Sequence, residues 1–81
     1  MKFRNKTAIV TGGAQGIGMA VSLAFAREGA NVVIADMDEE AGLELADQIR
    51  EQQGSVLFIS ADIAREDDVA EIADKTVKEF G

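Results

Sequence analysis

A glycine-rich loop is the first feature of this sequence that could carry chemistry. Four glycines stand within seven residues of the segment TAIVTGGAQGIGMAVSLAFAREGA, which covers positions 7–30. A side chain at Gly12 would obstruct a tight turn, and one at Gly16 would block a pyrophosphate group. A side chain at Gly18 would prevent the following helix from packing closely against the sheet. Backbone N–H groups of the first helical turn, at about residues 16–19, would point at the phosphates. The spacing predicts a phosphate-binding loop.

An acidic residue further along the chain adds to this pattern. Asp36 stands eighteen residues after Gly18, at the end of the apolar run NVVIAD. A carboxylate there can accept hydrogen bonds from both hydroxyls of an adenosine ribose, and it would repel a 2′-phosphate. A P-loop site is excluded, because Met19 and Ala20 stand where a lysine and a hydroxyl-bearing residue would be needed. Together, the loop and the acid predict a dinucleotide-binding site.

Short apolar runs and longer helical patterns alternate along the chain. The runs are typical of strands over residues 7–11, 31–36 and 55–60, and they are apolar enough for burial on both faces. The predicted apolar faces of the helices are Ile17, Val21, Ala24 and Phe25 in the first, Ala41, Leu45, Ala46 and Ile49 in the second, and Val69, Ile72, Ala73, Thr76, Val77 and Phe80 in the third.

Capping residues predict where these helices begin and end. Asp38 can cap the second helix, and acidic residues 66–68 stand near the start of the third. Gly29 and Gly54 are predicted to end the first and second helices. The order β-α-β-α-β-α predicts an α/β fold, a doubly wound parallel sheet of the Rossmann type, of which this chain forms the first portion.

The loop TGGAQGIG, residues 11–18, resembles the T-G-x-x-x-G-[IL]-G loop of the short-chain dehydrogenases/reductases. The strand of residues 31–36 and the run SADIA, residues 60–64, also resemble the opening half of that family. The resemblance covers essentially the whole chain. It implies an oxidoreductase that passes hydride between a nicotinamide and an alcohol or carbonyl substrate.

The same resemblance implies roles for individual residues. The residues around the pyrophosphate and the nearby ribose would be Gly12, Gln15, Gly16, Ile17 and Gly18. Asp36 would bind the adenosine ribose, with Met37 against the adenine. Asp62 would contact the adenine amino group, and the backbone N–H of Ile63 a ring nitrogen. Two plainer interpretations stay open, since Asp62 could merely cap a turn and Met37 could merely fill a gap.

Charge favours NAD over NADP as the cofactor. Members of the family that use NADP usually carry a basic residue just before the middle glycine or just after the second strand. Gln15 and Met37 stand at those two places here, and both are uncharged. Asp36 adds a negative charge that would repel the extra phosphate.

No catalytic residue can be named in this sequence. The family uses a tyrosine, a lysine four residues later and a serine, all well downstream of the part that this chain resembles, and the chain has no tyrosine. We therefore expect residues 1–81 to be the N-terminal part of a single, incomplete NAD(P)-binding domain that is inactive alone. In the strand order 3-2-1-4, the first strand would lack a neighbour and form an exposed edge.

Three functions follow from these patterns. The leading one is the cofactor-binding segment of an NAD(H)-dependent oxidoreductase, such as a 3-oxoacyl-carrier-protein reductase or a sugar or polyol dehydrogenase. The alternative is a free-standing half-domain that binds a nucleotide without catalysis. A third is an assembly element that uses the exposed edge strand. The resemblance also implies a dimer or tetramer for the complete protein.

Composition excludes other classes of partner. The net charge is −7, with +3 over residues 1–35 and −10 over residues 36–81. Such an acidic chain would be repelled by nucleic acid and by anionic membranes. No apolar run approaches the roughly 20 residues of a membrane span. Cysteine and histidine are absent, so thiolate and imidazole chemistry are excluded, no metal site is predicted, and a cytoplasmic location is expected.

Overall fold

Three strands alternate with three helices in the computed structural model, which describes residues 2–81. Each strand has the bounds that its apolar run predicts. The elements are β1 (Thr7–Thr11), α1 (Gly16–Arg27), β2 (Asn31–Asp36), α2 (Glu39–Glu51), β3 (Ser55–Ser60) and α3 (Glu66–Phe80).

The three strands form one parallel sheet in the spatial order β1-β2-β3. Thr7 pairs with Asn31, and Asn31 pairs with Ser55, so the strands start level with one another. Their carboxyl ends therefore meet at the same edge of the sheet. The predicted α/β fold of the Rossmann type, limited to its first portion, is confirmed.

The central strand β2 holds the core together because it is buried on both faces. Val32 and Ile34 face a cluster that includes side chains of α1 and α2, whereas Val33 and Ala35 face α3. All four residues are fully buried. The expectation of burial on both faces is confirmed for this strand.

That expectation is wrong for β1. Ala8 and Val10 are half-buried on the side of α1 and α2, but Ile9, on the other face, is 48% exposed. The reason is position: β1 is an edge strand, and α3 packs on β2 and β3 instead. Within residues 2–81, nothing covers this face of β1.

The predicted face of α1 is also largely wrong. Ile17 is 86% exposed, and Val21 and Ala24 are exposed as well. Leu23 and Phe25 are partly buried against the core cluster. Small residues make the closest contacts, since Ser22 is fully buried and a Cβ at Gly18 would overlap the carbonyl oxygen of Gly12. Close approach of the backbones, which only small residues permit, sets the rotation of this helix.

The helix α2 follows its predicted face. Leu45, Ala46 and Ile49 are buried, and the side chain of Asp38 caps the helix as expected. The helix ends at Glu51, shortly before Gly54, and the residue in the left-handed region is Gln53, with φ of 65°. The Gly54 N–H donates to the carbonyl oxygen of Ile49 at 2.9 Å.

Half of the stripe predicted for α3 faces the sheet. Ile72 and Thr76 are buried, and Phe80 is partly buried against the same cluster. Val69 and Val77 are 47% and 64% exposed. The helix presents a narrower face than its sequence predicts, because it crosses only two strands. Within residues 2–81, no helix is both long and apolar enough to cross a membrane.

Replacing Gly18 by alanine tests whether backbone contact seats α1. We expect Gly18→Ala to lower the free energy of unfolding by about 1–3 kcal/mol, because the overlap is with backbone atoms that cannot rotate away. Ala20→Gly, at an exposed position of the same helix, is the control and costs about 1 kcal/mol through helix propensity alone. A more stable Gly18→Ala variant in chemical denaturation would contradict this packing.

Candidate functional site

A cleft of about 180 Å³ lies at the carboxyl edge of the sheet, where the loops after all three strands meet. Five residues singled out from the sequence line it together, although they come from three separate segments. The lining residues are Gly12, Ala35, Asp36, Met37, Ala61, Asp62 and Ile63. Gln15, Gly16, Ile17 and Gly18 lie beside this cleft, at the start of α1.

The glycine loop requires glycine for its backbone conformation at two positions. Gly12 and Gly16 have φ of 66° and 56°, in the left-handed region. A Cβ at either position would meet no protein atom within 4 Å. Glycine therefore accommodates the left-handed backbone conformation at these two positions. Because it has no side chain, it also leaves open space for a ligand to approach the loop.

The N-terminus of α1 differs from that of α2 in its charge. Gln15 occupies the cap position of α1 without a capping side-chain hydrogen bond, and the first turn holds no acid. By contrast, Asp38 caps α2, which begins with Glu39 and Glu40. The positive end of the α1 dipole and its first N–H groups are thus left without a carboxylate of this chain, a favourable arrangement for binding an anion.

The carboxylate of Asp36 connects the glycine loop to the turn after β2. Its Oδ2 accepts a hydrogen bond from the Ala14 N–H at 3.1 Å, and its Oδ1 accepts one from the Asp38 N–H at 2.9 Å. Each carboxylate oxygen has a second lone pair. Asp36 can therefore hold the two loops and still accept hydrogen bonds from a ligand in the cleft.

Gln15 makes a contact that the sequence did not suggest. Its Nε2 donates to Asp38 Oδ2 at 2.5 Å, while Asp38 Oδ1 accepts the capping bond from the Ala41 N–H at 3.0 Å. The sequence indicated Asp38 only as a helix cap. The one available signal was that a capping carboxylate has a second oxygen, but nothing local identifies its partner across 23 residues.

The segment after β3 contributes Asp62 and Ile63 to the cleft. Asp62 Oδ1 accepts a hydrogen bond from the Ala64 N–H at 2.9 Å, and the Asp62 N–H donates to Asp68 Oδ2 at 2.8 Å. Asp62 thus caps a turn, as its plainer interpretation held, and its second carboxylate oxygen is available for a ligand.

Two exposed apolar side chains form walls of the cleft. Met37 is 68% exposed and Ile63 is 56% exposed. Met37 therefore fills no gap in the core, contrary to its plainer interpretation. Ile17, 86% exposed at the start of α1, has no packing role either. These side chains suit contact with a flat, weakly polar group such as a nucleobase.

No other cleft or groove considered in the described chain combines a glycine loop with carboxylates in this way. A larger groove of about 440 Å³ lies at the opposite end of the sheet and has one charged residue, Lys6, in its lining. It lacks the glycine loop and the carboxylates. Over residues 2–81, no group of three or more histidine, cysteine or carboxylate side chains is placed to hold a metal ion.

Comparison with known proteins agrees with this geometry. The model of the family described as short chain dehydrogenase matches residues 6–81. An uncharacterized oxidoreductase of Thermotoga maritima is 47% identical over 76 residues, which are 94% of this chain and 30% of that protein. L-fucose dehydrogenase of Oryctolagus cuniculus is 40% identical over 80 residues, which are 99% of this chain and 27% of that protein.

Solved structures show the same likeness. A short-chain dehydrogenase/reductase from Burkholderia phymatum in complex with NAD superposes with a TM-score of 0.95 at 31% identity, covering 100% of this chain and 29% of that one. A 7α-hydroxysteroid dehydrogenase complexed with NADH and 7-oxo glycochenodeoxycholic acid gives 0.95 at 31% identity, covering 99% and 31%. The chain thus spans about 30% of the length of these two proteins.

Removing the Asp36 carboxylate tests its role in joining the two loops. We expect Asp36→Ala to lower the free energy of unfolding by about 1–3 kcal/mol and to speed amide exchange at Ala14 and Asp38, whose N–H groups lose their acceptor. The Gly12 N–H, which donates to the Ala35 carbonyl oxygen, should keep its protection. Asp47→Ala, in an exposed pair with Arg50, is the control with an effect below about 0.5 kcal/mol. Unchanged exchange at Ala14 would contradict the assignment.

Proposed function

This chain belongs to the short chain dehydrogenase family, and we propose that it is the N-terminal, cofactor-binding part of an NAD(H)-dependent oxidoreductase. Residues 1–81 would form the first part of a single nucleotide-binding domain. The observation that carries the proposal is the Asp36 carboxylate, which lines the cleft and accepts the Ala14 N–H of the glycine loop. A ribose hydroxyl acceptor next to an uncapped helix N-terminus is what an adenine dinucleotide needs.

The residues around the cleft fit the parts of that cofactor. The first N–H groups of α1, from Gly16 to Gly18, would meet the pyrophosphate, with Gly12 leaving room beside them. Asp36 would accept the adenosine ribose hydroxyls. Met37 would contact the adenine.

Two residues after β3 complete the proposed adenine site. The Oδ1 of Asp62 already accepts a hydrogen bond from the Ala64 N–H, so its Oδ2 would accept one from the adenine amino group. Ile63, exposed in the lining of the cleft, would offer its backbone N–H to a ring nitrogen and its side chain to the base. When bound, the nicotinamide supplies the hydride chemistry, and this chain binds and orients the cofactor.

NAD is proposed over NADP because of the charge at the ribose. Asp36 would face the 2′-position, where a phosphate would bring two more negative charges against a carboxylate. Gln15 donates to Asp38 and Met37 carries no charge, so neither neighbour supplies the cation that a 2′-phosphate requires. Two similar structures are complexes with NAD or NADH, which supports the same choice.

The substrate class follows from the family and stays broad. Similar proteins include an L-fucose dehydrogenase and a 7α-hydroxysteroid dehydrogenase, which act on chemically different alcohols. We propose an alcohol or carbonyl compound of small size, for example a sugar, a polyol or a 3-oxoacyl thioester, and a dimer or tetramer as the active assembly. The chain contains no tyrosine, so we propose that the acid–base group of the reaction lies outside these 81 residues.

Cofactor affinity in the complete protein tests the proposal. Calorimetry should give a Kd for NADH about 10- to 100-fold below that for NADPH, corresponding to roughly 1.4–2.8 kcal/mol of discrimination. Asp36→Ala should reduce this ratio to about threefold or less, whereas Asp47→Ala should leave it unchanged. Tighter binding of NADPH, or no binding of either cofactor, would overturn the assignment.

Turnover separates this proposal from a half-domain that only binds a nucleotide. The 81-residue chain alone should show no NAD-dependent oxidation of any alcohol, because it has no tyrosine or histidine to transfer the proton. The complete protein should oxidise at least one member of an alcohol panel. A complete protein that binds NAD tightly without turning over any panel member would favour the non-catalytic alternative.

A further inference from the structure

The hydrogen bond between Gln15 and Asp38 joins the N-cap residues of α1 and α2. We propose that this bond, here called the latch, positions the glycine loop for the cofactor. The inference rests on the proposed function, since it concerns the same cleft, and it adds Asp38 as a positioning residue that acts through Gln15.

Asp38 is held in place by bonds to three parts of its own surroundings. Its N–H donates to Asp36 Oδ1 at 2.9 Å, its Oδ1 accepts from the Ala41 N–H at 3.0 Å, and its carbonyl oxygen accepts from the Gly42 N–H at 2.9 Å. These contacts leave the side chain little freedom, so Oδ2 presents a fixed acceptor to Gln15 Nε2 at 2.5 Å.

The glycine loop needs such a restraint. It runs from Gly12 to Gly16, two residues in the left-handed region, and glycine is the residue type with the widest choice of backbone conformations. Gln15, which directly precedes Gly16, is the N-cap residue of α1, and its carbonyl oxygen accepts a hydrogen bond from the Met19 N–H at 3.2 Å. Holding Gln15 therefore holds the first turn of α1, which is the proposed pyrophosphate site.

The latch also explains why α1 has no capping side chain. The amide of Gln15 reaches across to the entrance of α2 instead of turning back onto its own helix. This leaves the first N–H groups of α1 for a ligand while the loop stays ordered. A loop that is ordered before binding loses less conformational entropy when the cofactor arrives.

The helix cap and the latch use different oxygens of Asp38, so they can be separated by substitution. Asp38→Ser keeps a good cap and removes the latch, because serine has one side-chain oxygen. Asp38→Asn keeps the cap through Oδ1, and its amide can donate to Gln15 Oε1 once the glutamine amide is turned over, so it rescues the latch. Gln15→Ala breaks the latch from the other side.

Cofactor binding by the complete protein provides the first measurement. Asp38→Ser should raise the Kd for NAD about three- to tenfold, the effect of one net hydrogen bond, and Asp38→Asn should stay within about twofold of wild type. In the Gln15→Ala background, Asp38→Ser should have no further effect, because the pair acts as a unit. Equal losses in the Ser and Asn variants, additive losses in the double variant, or no loss with Asp38→Ser would overturn the latch.

Amide exchange without cofactor provides a second measurement. Exchange at Met19 should become severalfold faster in Asp38→Ser and in Gln15→Ala but stay unchanged in Asp38→Asn, while exchange at Ala41 stays slow in Asp38→Ser because the cap remains. Unchanged exchange at Met19 in both latch variants would overturn the inference. Failure of the wild-type protein to bind NAD would overturn the proposed function instead, and the exchange pattern would still decide whether the pair restrains the loop.

Discussion

The Asp36 carboxylate lies at the end of the most deeply buried strand and accepts an N–H from two of the three loops that form the site, the glycine loop and the turn after β2. Burial of β2 on both faces fixes where this strand ends, and the level register of the sheet brings the ends of β1 and β3 to the same edge. In open parallel sheets, ligands bind outside the carboxyl ends of the strands. The chemistry of the cleft thus depends on the packing of one strand.

The candidate site also requires close contact between the backbone of α1 and the backbone of the glycine loop. The first turn of α1 can approach the glycine loop only because Gly18 has no side chain and Ser22 is small enough to be fully buried. The Ser22 hydroxyl also donates to the Gly13 carbonyl oxygen at 3.2 Å. The loop is therefore held by α1 through Ser22 and by the N-terminal end of α2 through Asp38, while a Cβ at Gly12 or Gly16 would meet no protein atom within 4 Å.

The strands and the loop were predictable from sequence because their signals are local, whereas the spatial order of the strands followed from the doubly wound topology. Apolar runs bounded by glycines gave the bounds of all three strands, and the glycine spacing located the loop. The rotation of α1 was not predictable in this way, since hydrophobic periodicity weighs Ile17 and Val21 heavily while the close contact is made by Gly18 and Ser22. Exposure of Ile9 depends on which strand lies at the edge, a property of the whole sheet.

The candidate site, like the fold, was predictable from the sequence only in part. Five of the seven residues lining the cleft were predictable from motif spacing and from a family resemblance, because each lies at the end of a strand or within three residues after it. The bond between Gln15 and Asp38 was not, because it joins side chains 23 residues apart and depends on how two loops meet in space. Sequence patterns predicted the groups that we propose to contact a ligand, and the structure was needed to show what holds them.

We propose that an adenine dinucleotide binds at the carboxyl edge of the sheet, between the glycine loop and Asp36. Amide resonances of the isotopically labelled complete protein, followed during titration with NAD, test this directly. We expect saturable shifts concentrated at residues 12–19, 36–38 and 62–63. Shifts concentrated instead at the groove around Phe3 and Ala30, at the opposite end of the sheet, would contradict it.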